Sequence, residues 1–393
     1  MIVQTRLDRV ISFDENTGVL ECESGVSLDE IIRRLLPRGW FLPTTPGTRF
    51  VTIGGAIAAD VHGKNHHVDG SFGRFVLDLK LMTATGEIVE CSPGANSELF
   101  QATIGGMGLT GVIVSARIQL VKTESAYCEV EYRRTRDLDV AIETLANNES
   151  EYRYSVAWVD CLADGTSLGR SVVMLANDAP VGRLPQKHRK QPFDVPRRIE
   201  KPIPCMLPNF VMNRWNNRLL NRLYYSRHKD GQQLVDYDSF FYPLDAVRNW
   251  NRMYGRREFI QYQAFFPRET ARRGLVELME NVGRSRVPAF LGVLKSCGPA
   301  SSGLLSFLDS GFTLALDFPN TGTSLEELTG ALDEVLLKHG GRLYLAKDAM
   351  TTSAAFSEMY PRLDKFLAIK HRVDPQRRFV SSQSRRVGLV PSN

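Results

Sequence analysis

No stretch of this 393-residue chain approaches the ~18–20 consecutive apolar residues that a membrane-spanning helix needs. The first ten residues lack the long apolar segment of a signal peptide, so a cytoplasmic protein is the default expectation. Cysteine is sparse and scattered. Cys22, Cys91, Cys128, Cys161, Cys205 and Cys297 include no pair with CxxC spacing, which suggests neither a zinc site nor a disulfide framework. The net charge of +5 is mild and argues against a dedicated nucleic-acid binder. There is no P-loop, no GxSxG, no HExxH and no GxGxxG in a Rossmann setting. A nicotinamide enzyme and a serine hydrolase therefore lose ground. Internal repeats and low-complexity tracts are also missing.

What the chain does have is glycine in two places. Pro46–Lys64 passes from a glycine-rich backbone into a run of small residues and ends in His62 and Lys64. Gly47, Gly54, Gly55 and Gly63 allow the main chain to approach a ligand closely. Successive free N–H groups in such a turn can form an anion-holding nest. The other reading is a tight turn followed by a short buried helix. A second glycine-rich turn runs from Gly105 to Gly111.

Around these turns, residues 1–125 read as strands and short helices. Ile2 and Val3 read as part of a strand. Val10–Phe13 and Val19–Glu23 form a hairpin. A helix starts at Ser27 with Glu30 at the capping-box position. Strands are expected at Phe75–Ala84, Glu87–Cys91 and Val112–Leu120, with a short helix at Ser97–Thr103. From about residue 126, strands mix with longer helices. Arg183–Pro204 reads as an exposed loop rich in Pro, Lys and Arg, either simply solvated or resting against anionic lipid headgroups. The helix after Pro208 mixes aromatic residues with arginine and suits either an interface or ordinary packing. Ser324–His339 is an amphipathic helix that stops at Gly340-Gly341.

Several stretches carry a family resemblance. They are Pro46–Arg49, Gly54–His67, Gly70–Gly73, Gly105–Gly111, Phe240–Asp245, Trp250–Gly255, Gln261–Gln263, Gly341–Asp348, Met359–Arg362 and Asp374–Phe379. Colinear over nearly the whole chain, they resemble the vanillyl-alcohol-oxidase type of FAD oxidoreductase, and within it the decaprenylphosphoryl-ribose 2′-oxidase group. The HGKNHH and LYLAKD segments are its most specific parts.

The resemblance implies an α+β, two-domain fold. Residues 1–125 with 342–393 would form the FAD-binding domain. Residues 126–341 would form a substrate domain, an antiparallel sheet flanked by helices. FAD would be held by Gly47, Thr48, Thr52, Gly54, Gly55, Ala59 and Gly63. Met107, Gly108 and Ile113 would line its adenine side, and Tyr344 would lie near the ring. Lys347 and His62 would be catalytic, with Lys64, Gln263, Lys295 and Tyr242 facing substrate. No metal is implied. The implied reaction is oxidation of a secondary hydroxyl of a lipid-linked pentose to a 2-keto sugar, by hydride transfer to the flavin. The implied partners are a lipid-linked sugar substrate and an NAD(P)H-dependent keto-sugar reductase, with peripheral contact at the inner face of the membrane. A soluble sugar or aldonolactone oxidase, or a non-catalytic subunit that does not hold FAD alone, are the alternatives.

On residues alone, Lys347 also reads as an ion-pair partner of Asp348, and His62 as a satisfied structural histidine. Three positions depart from the family pattern. The N-terminal pyrophosphate loop of the Arg-Gly-Xaa-Gly-Arg type is not among these residues, so a truncated FAD domain is expected. Met107 stands where asparagine is expected, and Ala315 where mycobacterial-type enzymes have cysteine.

Overall fold

Two antiparallel sheets organise the chain in the computed structural model, which describes residues 3–195, 202–208, 211 and 213–390. The first sheet has strands β1 (Val10–Phe13), β2 (Val19–Glu23), β3 (Val76–Met82), β4 (Ile88–Cys91) and β5 (Val112–Gln119), in the order β1-β2-β5-β3-β4. Helix α1 (Leu28–Leu35) starts where Ser27 accepts a hydrogen bond from the Glu30 amide. The Glu30 carboxylate pairs with Arg34 instead of closing the capping box. Leu28, Ile31, Ile32 and Leu35 recur at helical spacing and are buried. Each such side chain contributes about 1.5–3 kcal/mol on burial.

The second sheet has β6 (Tyr127–Thr135), β7 (Tyr154–Val159), β8 (Ser171–Asp178), β9 (Gly231–Asp236), β10 (Phe259–Pro267), β11 (Leu291–Cys297), β12 (Gly311–Pro319) and β13 (Arg342–Leu343). Their spatial order is β9-β6-β8-β7-β11-β12-β10-β13. The long helices that follow in sequence cover one face. Ala141 and Leu145, Leu275 and Leu278, and Leu332 and Leu336 are buried from three of them (Leu138–Asn147, Arg268–Arg284 and Thr323–Lys338). Along β11, Gly292, Leu294 and Ser296 are buried, whereas Leu291, Val293 and Lys295 are only half-buried. Side chains alternate across a strand. The face bearing Lys295 is therefore the less covered one, and the opposite face packs on the helices.

Two local readings are corrected. Val3 lies outside any strand, because the chain turns at once: the Leu7 amide donates to the Gln4 carbonyl, and the Gln4 side chain donates to the Ile113 carbonyl. Ile2 lies outside the described residues. The expected loop at 183–204 contains a short helix at Gln186–Arg189, and Arg189 donates to the Leu184 and Gly182 carbonyls. Arg197, Arg198 and Lys201 of the basic cluster lie outside the described residues. The helix expected after Pro208 begins at Arg214, capped by Asn213; Asn209, Phe210 and Met212 are not among the described residues.

Candidate functional site

The first glycine-rich stretch folds as a loop, a six-residue helix and a sharp turn. Thr52 caps the helix Ile53–Ala58 by accepting from the Gly55 amide at 3.2 Å. A Cβ on Gly54 would sit 2.9 Å from the Ser24 Cβ, so this helix lies directly against the β2 end. The helix leads into Asp60, which has a left-handed φ of 41°. That conformation is held by three hydrogen bonds to the buried carboxylate, from Ser301 Oγ (2.6 Å), Ser306 Oγ (2.6 Å) and the Gly73 amide (2.8 Å). The turn delivers His62 to the second sheet. Gly63 follows in a space already full, where a Cβ would lie 2.7–2.8 Å from Asn65 Oδ1, Thr44 Oγ1 and the Thr45 carbonyl.

His62 meets Gln263 of β10 at 2.9 Å between Nε2 atoms. The same Gln263 nitrogen lies 3.0 Å from Thr313 Oγ1, whose own proton goes to the Ala264 carbonyl at 2.8 Å. Thr313 must therefore accept, and Gln263 must donate. The second N–H of Gln263 then points at His62, so His62 Nε2 is an acceptor and the ring proton sits on Nδ1. Burial, together with Lys295, His66 and Lys347, drives the His62 pKa well below its ordinary value, in agreement with a neutral ring. Two buried polar atoms of this pair have no partner: His62 Nδ1 and Gln263 Oε1. A satisfied structural histidine would leave no such donor.

Three lysines stand around this pair. Burial, reinforced by the like charges of Lys347 and Lys64, lowers Lys295 to about 7. Burial also lowers Lys347, with Asp317 opposing the shift. Lys64 falls to about 8 through burial; it donates to the Phe241 carbonyl at 3.2 Å and lies over the Phe240 and Phe241 rings. Among the described residues, the side-chain nitrogens of Lys295 and Lys347 have no hydrogen-bond acceptor. Asp348 gives its carboxylate to Arg386 at 2.6 Å, so it is not the partner of Lys347.

His62, Gln263, Lys295, Lys347, Tyr344 and Ala59 are thus brought together. The Tyr344 ring lies 5.1 Å from His62, and its hydroxyl donates to the Ala59 carbonyl at 2.9 Å. The Lys347 amide donates to the Tyr344 carbonyl, and the Tyr344 amide to the Gln263 carbonyl. Tyr242 is fully buried and shares a hydrogen bond with Thr45, next to the Phe241 carbonyl that Lys64 reaches. Gly47 and Gly55 are exposed and Thr48 is half-buried. Met107 has a left-handed φ of 55° and donates its amide to the Ala58 carbonyl, with Gly108 next to it at φ 71°. Ile113 is buried in β5, in register with Leu81.

Sequence reading missed Thr313, Phe307, Trp158 and Asp317. Phe307 stacks on Tyr344 with centroids 4.8 Å apart. Trp158 shares a cross-strand row with Val293, Ala315 and Gln263. Only the period-two alternation of β12 could have flagged Thr313 and Asp317, once Ala315 was taken as facing the site.

The residues present fit a flavin. A buried donor and a buried acceptor remain unspent at His62 and Gln263. Open space surrounds the Cβ positions of Gly47 and Gly108 at the two glycine turns. Ser24 Oγ, next to Gly54, is also without a partner.

Comparisons with known proteins agree. The family described as FAD binding domain matches residues 1–92, and D-arabinono-1,4-lactone oxidase matches residues 315–387. Decaprenylphosphoryl-beta-D-ribose oxidase of Mycolicibacterium smegmatis is 39% identical over 98% of this chain and 84% of its own. L-gulono-1,4-lactone dehydrogenase of Mycobacterium tuberculosis is 24% identical over 98% of this chain and 85% of its own. L-gulonolactone oxidase of Bos taurus is 24% identical over the same shares. The chain is an FAD-dependent oxidoreductase that belongs to the decaprenylphosphoryl-ribose oxidase family, of the vanillyl-alcohol-oxidase type.

Proposed function

We propose that this chain oxidises a secondary hydroxyl of a polyprenyl-phosphate-linked pentose, of the decaprenylphosphoryl-ribose type, to a 2-keto sugar. The observation that carries this reading is the cleft itself. It holds a neutral His62 donor, an unspent Gln263 acceptor and the side-chain nitrogens of Lys295 and Lys347, which have no hydrogen-bond acceptor among the described residues, in the neighbourhood of Tyr344. When bound, FAD supplies the two-electron acceptor. Gln263 Oε1 receives a substrate O–H and fixes the sugar's orientation. Burial favours the neutral amine of Lys347, and in that form its Nζ lone pair takes the hydroxyl proton and becomes the ammonium. Lys295 holds the phosphate or other developing negative charge. His62 donates from Nδ1 and does not act as a base, because its Nε2 lone pair is engaged by Gln263.

A lipid-linked substrate calls for a surface that meets lipid. Helix α2 (Arg214–Arg227) exposes Trp215, Leu219, Leu220 and Leu223 at helical spacing. Its Tyr224 packs on Trp158 at 4.5 Å, which puts this stripe at the rim of the cleft. No helix among the described residues is long and apolar enough to cross a membrane. We therefore propose peripheral contact at the cytoplasmic face. The lipid-linked keto product would pass to an NAD(P)H-dependent reductase.

The test is anaerobic flavin bleaching near ~450 nm, after desalting the purified chain with FAD. Bleaching by polyprenyl-phosphoryl ribose supports the proposal. Bleaching by L-gulono-1,4-lactone alone supports the aldonolactone reading, which the match at 315–387 favours. The same preparation tests the expected shortfall of the FAD domain: flavin that survives desalting shows that the cradle described above suffices.

A further inference from the structure

Arg49 is a buried charge that the mechanism above leaves unused. It directly follows Gly47 and Thr48, and its side chain is buried where Gly47 is exposed. Burying a guanidinium is costly unless it is paired and hydrogen-bonded. The pairs that hold Arg49 come from two distant parts of the chain. Asp29 of α1, after β2 of the first sheet, lies 2.9 Å from Nε, and the Asp29 amide donates to the Arg49 carbonyl at 2.9 Å. Nη1 of Arg49 donates to Asp238, in the short helix Tyr237–Phe241 that follows β9 of the second sheet.

The same second-sheet segment holds the turn at two more points. Asp245 accepts from the Arg49 backbone amide at 3.0 Å, and Tyr242 shares a 2.7 Å hydrogen bond with Thr45. Gly47 is thus flanked on both sides by hydrogen bonds to residues 196 and 197 positions away in sequence. The turn itself has little else to fix it. A Cβ on Gly47 would meet nothing within 4 Å, and the Thr48 hydroxyl accepts from the Phe50 amide at 3.4 Å. Further along the glycine-rich stretch, Lys64 donates to the Phe241 carbonyl at 3.2 Å, at the other end of the same helix.

We propose that Arg49 is a positioning residue for the cofactor. Through Asp238 and Asp245 it makes the Tyr237–Asp245 segment part of what holds the Gly47–Thr48 turn against FAD. Flavin binding and the ordering of that segment are then coupled. The inference rests on the reading of Gly47 and Thr48 as part of the FAD cradle and is independent of the sugar oxidised. Such coupling is reciprocal: FAD orders the segment, and the segment's carboxylates tighten FAD. Lysine cannot replace the arginine here, because a single ammonium lacks the planar fork that meets Asp29 and Asp238 together.

The test is FAD titration of the deflavinated chain, read by the flavin left free after ultrafiltration, with hydrogen exchange of the Tyr237–Asp245 amides measured with and without FAD. Arg49→Lys and Asp238→Asn should each weaken FAD about tenfold, the loss of one charge-assisted hydrogen bond. The double variant should be little weaker than either single one, because both remove the same contact. In the wild type, FAD should slow exchange across Tyr237–Asp245. In Arg49→Lys that FAD-dependent slowing should be lost, while the β1–β2 hairpin exchanges as in the wild type. An arginine with a merely structural role would speed exchange equally with and without FAD. Wild-type FAD affinity in folded Arg49→Lys and Asp238→Asn, or wild-type exchange across the segment that ignores FAD, would overturn the proposal. If neither variant folds, Asp245→Ala decides, since it removes the acceptor of the Arg49 amide and leaves the guanidinium pairs in place. It should weaken FAD at least several-fold, and unchanged affinity overturns the proposal. Failure of polyprenyl-phosphoryl ribose to bleach the bound flavin would sink the substrate reading and leave these binding outcomes as they stand.

Discussion

The tautomer of His62 is the sharpest consequence of the site geometry. Gln263 spends both its N–H groups, one on Thr313 and one on His62. Gln263→Leu removes both. His62 Nε2 is then a buried acceptor without a donor, and Thr313 keeps only its bond to the Ala264 carbonyl. Leaving one buried polar group unsatisfied costs about 1–3 kcal/mol. The Thr313 loss falls at the low end because its hydroxyl still donates. Added methyl contacts in the leucine offset part of the total. The expected loss is about 2–3 kcal/mol, read as a lower urea midpoint at unchanged slope. Gln263→Glu separates tautomer from packing. Its carboxylate accepts only, so the His62 proton should move to Nε2 or the ring should become charged. Both states are distinguishable by imidazole 15N shifts, with seven histidines to assign. Wild-type His62 carrying its proton on Nε2 at pH 7, or a Gln263→Leu cost below about 0.5 kcal/mol, would refute the reasoning.

Four further outcomes follow from single features. Lys295 has a folded pKa of about 7, below its unfolded value, so the unfolded chain binds more protons between pH 7 and about 10. Stability should therefore rise with pH across that window, and Lys295→Met should flatten the rise while adding stability at pH 6; a parallel curve for the mutant argues against a buried lysine. Gly63→Ala places a methyl 2.8 Å from the Thr45 carbonyl, a backbone atom that cannot swing away, and should cost about 1–3 kcal/mol and displace His62, as measured by thermal unfolding and flavin retention. Met107→Asn should stabilise by about 1 kcal/mol, because asparagine tolerates the left-handed backbone that methionine is forced into; a lower melting temperature would contradict the strain argument. Replacing Trp215 and Leu219 by serine should weaken sedimentation with anionic phospholipid vesicles at least several-fold, while flavin reduction by a short, water-soluble substrate analogue stays unchanged; equal sedimentation of the two proteins would remove this helix from the membrane contact.

Much of the fold could be read locally. The hairpin β1–β2, the strands β3 and β4 around the turn at Gly86, and the helix that stops at Gly340 follow from alternation, turn residues and caps. Misreadings came where context overrode local pattern. Val3 has strand-like residue types, but the Gln4 side chain ties the segment to the Ile113 carbonyl and the chain turns away. Glu30 has the right spacing for a capping box, yet an arginine one turn on competes for its carboxylate. Lys295 shows nothing in its own segment to mark it as facing a cleft, since the strand's hydrophobic neighbours alternate on both faces.

The sequence by itself determined the glycine turns, the family and with it the cofactor. These depend on backbone freedom and on short contiguous motifs, which a chain carries wherever it folds. Only the tertiary structure decided what the site residues are to one another. His62 and Gln263 are 201 residues apart, and their hydrogen bond exists because strand register sets Gln263 opposite Ala315 and diagonal to Thr313, while the Asp60 turn brings His62 across. Protonation state and tautomer are properties of that assembled environment. Desolvation and neighbouring charge create them, and neither is present until the two sheets meet.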